Sequence, residues 1–469
     1  MSPLQGAVTR ELAEQARALA FPALPPDAVT AAKHCLLDWL GTTLAGSREP
    51  LTQILRRQLD PASERGEATL LGAEPERTTV LLAALINGAA SHALDFDDTH
   101  TTMSGHPSAP VVPAALALAE ARGASGERLL AAIVAGIELE CRLGALVNPG
   151  HYTAGFHATG TLGTFGAAAA CAHLLDLDLE RWQHVLGLAG TQAAGLKSSF
   201  GTMAKPLHAG KAAHDGLLAA LLGGGGFTGN PRIVESRQGF AETLRGAAGA
   251  TGIEAIERLR GRFLVRDTLF KYHAACYLTH SAIDGARGLR ERAGLRPGDV
   301  EAVTVEVPRG SLDVCNIESP STGLEGKFSL RATVALGLLG DDTGAGGDAF
   351  TDRRMQSPEL VALRDRVRVA VASGTSPTAT PLLVRTRDGR EHRALVDVGT
   401  PAADLAEQGR RLEIKFRSLA GPVVGRERAD ELVSLVAELE TLPDAAPLVR
   451  SRAVARAIDP AQPDRIARS

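Results

Sequence analysis

From residue 7 to about 268 the apolar positions recur every three to four residues, the spacing of helices that bury one face. PPDAVTAAKHCLLDWLGTTLAG opens on proline and closes on glycine, and GERLLAAIVAGIELECRLGAL keeps the same period through its length. Ala and Gly dominate these faces, so the helix axes are expected to approach closely in a compact, all-helical layer. After residue 295 the period drops to two. Val300 to Val307 and Arg366 to Ala372 alternate, and Leu382 to Val398 forms two runs around Asp388-Gly389, a strong hairpin turn. GKFSLRATVALGLLG between them reads as a helix, and helical spacing returns from about Pro401, as in ELVSLVAELETL.

The fold class predicted is mainly α with an α+β lid. Residues 1–268 form the first part of a helical domain, 269–401 the smaller α+β unit, and 402–469 the C-terminal helices that rejoin the first part. A chain of 469 residues is long enough for two such cores.

Composition narrows the function. With 44% hydrophobic and 22% charged residues and a formal charge of −4, the chain has no basic field for nucleic acid. The first twenty residues carry charges without an apolar h-region, and no uncharged run is long enough to span a bilayer, so a cytoplasmic location and no membrane association are expected. The five cysteines, Cys35, Cys141, Cys171, Cys276 and Cys315, are scattered and lack CxxC spacing, which argues against disulfides, zinc knuckles and iron–sulfur clusters. Only seven residues are lysine, and five of them lie between 197 and 327. Where arginine is the default cation, lysine marks places that a planar guanidinium does not suit.

Chemistry concentrates in residues 91 to 108, SHALDFDDTHTTMSGHPS. A helix starting near Thr78 and continuing through this stretch would carry Leu81, Leu85, Gly88, His92, Asp95 and Thr99 on one stripe, apolar first and polar last. Such a stripe points its polar end into a cavity, because unpartnered buried carboxylates and imidazoles are costly. Asp95-Phe96-Asp97-Asp98-Thr99 fits the Asp-x-Asp-x-Thr of aspartyl-phosphate phosphatases, but that motif follows a buried strand, and the residues before it are helix formers. Asp and His could also hold a metal, although no HxxxH or similar paired spacing supports one.

Further polar groups sit at helix starts. In GFHATGTLG, His157 precedes a plausible N-cap at Thr159, where free N–H groups favour an anion. GLKSSFGTMAKPLHAGKAAHDG brings Lys197, Lys205, His208 and Lys211 together, with Pro206 placed for a first helical turn. GGGGFTGN has no Lys-Ser/Thr after its glycines and reads as a helix stop rather than a phosphate loop. LFKYHAACYLTHSAID sets Lys271, His273, Cys276 and His280 at the entry to the α+β unit, beside an expected interdomain cleft.

Together HALDFDDTH with the following HPS, GFHATGTLG, GTMAKPLHAGKAAHDG and the lysine before YHAACYLTHSAID resemble the MmgE/PrpD family, which includes 2-methylcitrate dehydratases, cis-aconitate decarboxylases and iminodisuccinate epimerases. The resemblance covers nearly the whole chain in order. It implies a helical body built from both chain ends, a central α+β lid, a homodimer, no cofactor or metal, and a small polycarboxylate as substrate. It places catalytic roles on Asp95, Thr99, His106, His157, Lys205 and Lys271. Lys205, His208, Lys271 and His280 form the expected substrate-binding set.

In this reading the lysines and His157 hold substrate carboxylates, His106 or His157 exchanges a proton, Asp95 tunes a neighbouring histidine, and Thr99 donates a hydrogen bond. Two departures bear on the substrate. The loop from Asp95 to His106 is one residue longer than in the decarboxylase pattern, and Cys276 stands where that branch carries a histidine. A dehydratase-type reaction is favoured on this reading, with epimerisation or decarboxylation as alternatives and a catalytically silent, dimeric ligand-binding protein as the rival from another class. Lys271 is expected to be the least replaceable residue, whereas Lys415→Arg, in the helical tail, is expected to have no measurable effect by comparison.

Overall fold

The computed structural model describes residues 6–59, 66–244, 254–344 and 347–450. Its larger body is helical. Val80–His92, Ser108–Arg122, Gly126–Val147, Ala158–Leu174 and Ala204–Gly224 pack on one another around a single large apolar cluster. The small residues set the spacing. A Cβ on Gly210 would lie 2.1 Å from the Leu85 carbonyl oxygen, and one on Gly88 would lie 2.9 Å from the Gly210 Cα, so the helices ending at His92 and starting at Ala204 touch backbone to backbone. Gly216 meets the Thr164 carbonyl in the same way, at 2.6 Å. This close approach brings two helix ends to one place, and both carry site residues.

Leu405–Val424 and Arg426–Ala437 pack on Pro26–Gly46, and Leu412, Phe416 and Leu432 join the cluster of the first helices. Lys415, expected to tolerate arginine without effect, is buried by this packing. It is 5% exposed, sits 2.6 Å from Asp38 Oδ1 and donates to the Phe96 carbonyl at 2.6 Å.

The α+β unit has its own apolar cluster. Its four-stranded sheet runs in the order Val367–Val371, Val300–Val307, Leu382–Thr386, Glu391–Ala394. The first pair is parallel and the others antiparallel, with Val303 opposite both Val367 and Val384. Gly389 closes the predicted hairpin at φ 84°, a conformation that favours glycine. His280–Ala293 and Leu330–Leu339 lie against the sheet.

Three local expectations are corrected. Residues Ala68–Leu70 and Glu76–Thr78 pair as a small antiparallel hairpin inside the otherwise helical first part, too short for period two to register. The helix capped by Thr79 stops at His92, so Asp95 and Thr99 are not on its stripe. The N-cap of the helix Ala158–Leu174 is His157 itself rather than Thr159. No helix among the described residues is long and apolar enough to cross a membrane.

Candidate active site

After His92 the chain turns sharply. Asp95 takes φ +52°, a left-handed conformation that a non-glycine residue adopts only when its surroundings hold it there. This turn, rather than a continued helix, folds the acidic run back under the helix end. His92 is fully buried, and its Nδ1 lies 2.9 and 2.8 Å from the two carboxylate oxygens of Asp97. Thr99 then forms a bridge with Leu269, each N–H donating to the other's carbonyl at 2.8 Å, which fastens the turn to the segment entering the α+β unit.

That segment delivers Lys271, 0% exposed, whose ammonium donates to the Asp95 backbone carbonyl at 2.9 Å and to Oδ1 at 2.8 Å. Lys205, in the first turn of Ala204–Gly224, donates to the same Oδ1 at 2.9 Å and contacts His92 Nε2 at 2.8 Å. Five residues from three chain regions thus form one line: Asp97, His92, Lys205, Asp95, Lys271. Asp95 Oδ2 is buried and has no partner.

His106 stands beside this line, its ring 4.6 Å from that of His92. Its Nδ1 donates to the Asp98 carbonyl at 2.6 Å, lies 3.4 Å from Asp97 Oδ2, and leaves Nε2 as the acceptor. The His157 ring stacks 5.8 Å from His92, its Nδ1 faces His208 Nδ1 at 3.1 Å, and its buried Nε2 is unpartnered. The structure therefore brings together Asp95, His106, His157, Lys205, His208 and Lys271. Thr99 is adjacent, but its hydroxyl donates to the Gly105 carbonyl at 3.1 Å, which holds the loop rather than offering a proton to a ligand.

His280 is placed elsewhere. It lines a separate cavity of about 590 Å³ with His273, Tyr272 and Arg411, and its Nε2 meets the Ala275 carbonyl at 3.2 Å. Lys197 and Lys211 also leave the expected cluster: Lys197 rests over the Tyr152 ring at 3.9 Å, and Lys211 pairs with Asp215. Asp97 and Lys327 are absent from the expected site residues, and His92 sits on the predicted stripe without a role. Lys327 donates to the Leu94 carbonyl at 2.5 Å, tying the α+β unit to the turn. The signal for His92 and Asp97 was the density of the motif itself; their pairing depends on the left-handed residue between them.

A cavity of about 380 Å³ reaches this cluster from outside, lined by Thr99, His106, Tyr152, Lys197, Cys276 and Ser311 among others. The two ammoniums lie behind it, at the junction of the two bodies, with the Phe200 and Phe328 rings each 5.4 Å from Lys205 Nζ.

The charge states follow from these contacts. Burial alone would raise the Asp95 carboxyl, but Lys205 and Lys271 outweigh it and hold it well below the usual range. Burial would lower Lys271, but Asp95 and Asp97 raise it. Burial, reinforced by the nearby lysines, lowers His92, His106 and His157, and takes His208 down to about 4. The cluster thus holds two cations, two carboxylates and neutral imidazoles near neutral pH.

His92, Asp95, Asp97 and His106 offer ligand atoms within 4.8 Å of one another, a donor set that could hold a metal ion. The donors are already engaged, however. Ammonium nitrogens stand 2.8 to 2.9 Å from Asp95 and His92 and would oppose a further cation. The arrangement suits an anion better. Each ammonium has three N–H groups and makes two contacts, which leaves one N–H apiece for a carboxylate or for negative charge developing beside it.

Residues 10–251 match the MmgE/PrpD N-terminal domain and residues 273–441 the MmgE/PrpD C-terminal domain. Cis-aconitate decarboxylase of Homo sapiens is 27% identical over 453 residues, covering 93% of this chain and 92% of the relative. The Mus musculus enzyme of the same name is 27% identical with 94% and 93% covered, and that of Aspergillus terreus 27% with 96% of each. With both domain models matched in order along its length, the chain belongs to the MmgE/PrpD family.

Proposed function

We propose that the protein is a metal-independent lyase that breaks a bond next to a carboxylate in a small di- or tricarboxylate. The observation that carries this reading is the pair of ammoniums converging on Asp95, each with one N–H uncommitted, beside neutral imidazoles. Breaking such a bond leaves an electron pair on carbon, delocalised into the neighbouring carboxylate. Preorganised cations in a water-poor site stabilise that charge. His106 lines the cavity and is neutral near pH 7, so it can take up or return a proton.

Among lyase reactions, decarboxylation of an aconitate-type acid comes first, because the relatives named above carry that activity in their names. Dehydration, favoured by the sequence reading, remains the second. Its supporting observation is Cys276: the thiol lines the cavity at the position where the decarboxylase pattern has histidine.

The test is to incubate chelator-treated protein in deuterated water with citrate-, aconitate- and aspartate-type acids and follow the mixture by NMR. Loss of carbon dioxide with deuterium incorporated into the product, or loss of water to give an unsaturated acid, supports the proposal. Exchange without net turnover identifies an epimerase instead, and no change in any acid rejects the enzymatic reading.

A further inference from the structure

We infer that His92 and Asp97 are a positioning pair for Lys205, with Asp97 fixing the ring tautomer so that the His92 Nε2 lone pair captures one ammonium N–H. The two Asp97 oxygens, at 2.8 and 2.9 Å, leave His92 Nδ1 no arrangement but donation. Nε2 is therefore an acceptor, and the group 2.8 Å from it is an ammonium with protons to give. Asp95 Oδ1 takes a second N–H at 2.9 Å, so the direction of the third is set by geometry rather than by the rotation of a flexible side chain. Lysine is otherwise a mobile point charge on a four-carbon stem, and a site needing a directed N–H must restrain it from two sides.

The pair is sealed from water, with His92 0% and Asp97 1% exposed, and neither residue lines the cavity that reaches His106. Asp97 is also 3.4 Å from His106 Nδ1, but that N–H goes to the Asp98 carbonyl, so the carboxylate fixes His92 while a backbone oxygen fixes His106. His92 faces Lys205, and His106 faces the cavity. This deepens the proposed function and rests on Lys205 being a substrate-facing cation.

Two variants and one spectrum test the inference. In His92→Gln the side-chain amide can donate to Asp97 and accept from Lys205, whereas His92→Leu can do neither. On the acid turned over by the wild type, His92→Gln should keep roughly a tenth or more of kcat/KM, and His92→Leu should lose ~10²-fold. Equal losses in the two variants would show that the imidazole is needed for proton transfer and would overturn a positioning role, as would full activity in the Leu variant.

The spectrum needs neither substrate nor a folded Leu variant. In ¹⁵N-histidine-labelled wild-type protein, with the His92 signals assigned by their loss in His92→Gln, Nδ1 should be protonated and Nε2 unprotonated near pH 7. A protonated Nε2 would refute the inference even if the proposed reaction stands. The predicted tautomer in a protein that turns over none of the acids would instead count against the proposed function alone.

Discussion

Lys205 and Lys271 place their ammonium nitrogens 2.9 and 2.8 Å from the same oxygen atom, Oδ1 of Asp95. Two cations are held together in a buried site only because one carboxylate lies between them. Asp95→Asn leaves both ammoniums buried with only the more distant Asp97 carboxylate to offset them, and removing one partner of a buried pair costs about 3–5 kcal/mol. The variant should therefore unfold at markedly lower denaturant concentration and lose turnover. A denaturation midpoint equal to that of the wild type would show that the lysines are paired elsewhere.

A second ion pair, Lys415 with Asp38, links the C-terminal helices to Pro26–Gly46; it lines no part of the cavity, although Lys415 also holds the Phe96 carbonyl between Asp95 and Asp97. Burial raises the Asp38 carboxyl to about 6 despite Lys415, and lowers Lys415. Lys415→Ala should cost about 3–5 kcal/mol of stability by the same argument. At a temperature where the variant stays folded, kcat should change little. A large fall in kcat with stability unchanged would give Lys415 a role in the chemistry instead.

The helix crossing at Gly210 holds Lys205 and His92 in reach of each other. Gly210→Ala drives a methyl group against the Leu85 carbonyl, 2.1 Å from its ideal position, and backbone must shift to make room. Overpacking of this kind typically costs about 1–3 kcal/mol. Activity should fall further than stability alone accounts for, because the shift separates the two site helices. Gly421→Ala, with open space around its Cβ position, is the control.

Stability should also report the proton on Asp98. Burial pushes this carboxyl up to about 8, although Ser108 hydrogen-bonds it. The folded chain then keeps a proton that the unfolded chain releases above about pH 4, so this group lowers stability as pH rises, until it ionises near 8. Between about pH 6.5 and 8 the loss from this group alone is about 2 kcal/mol, at 1.36 kcal/mol per pH unit. Asp98→Asn should flatten that limb of the Tm–pH curve. A variant with the same slope as the wild type would mean that Asp98 is already ionised at pH 6.5.

Much of this was legible in the sequence because it was local. The switch from period four to period two marked the strands Val300–Val307 and Leu382–Thr386, and the quoted motifs named Asp95, His106, Lys205 and Lys271 before any geometry was known. What periodicity does not carry is the chain's departure from it. The positive φ of Asp95 ends a helix that spacing alone would continue, and it pairs His92 with Asp97. His280 follows Lys271 closely in sequence, but it opens the next helix and faces a different cavity. Nothing local in its helix marks Lys415 as buried; the return of the C-terminal helices onto Pro26–Gly46 buries it.

The most direct test of the central claim, that the cluster around Asp95 is where an acid loses carbon dioxide or water, is the turnover of Lys271→Arg. The substitution keeps the charge but replaces a compact ammonium, 0% exposed and bonded twice to Asp95, with a planar group that cannot occupy the same space. Lys211→Arg, whose side chain is 57% exposed, controls for the substitution itself. On the acid identified by NMR, Lys271→Arg should lose on the order of 10²-fold in kcat/KM while Lys211→Arg stays close to wild type. If the two variants turn over that acid equally well, the reaction takes place elsewhere in the molecule, and the site assigned here is wrong.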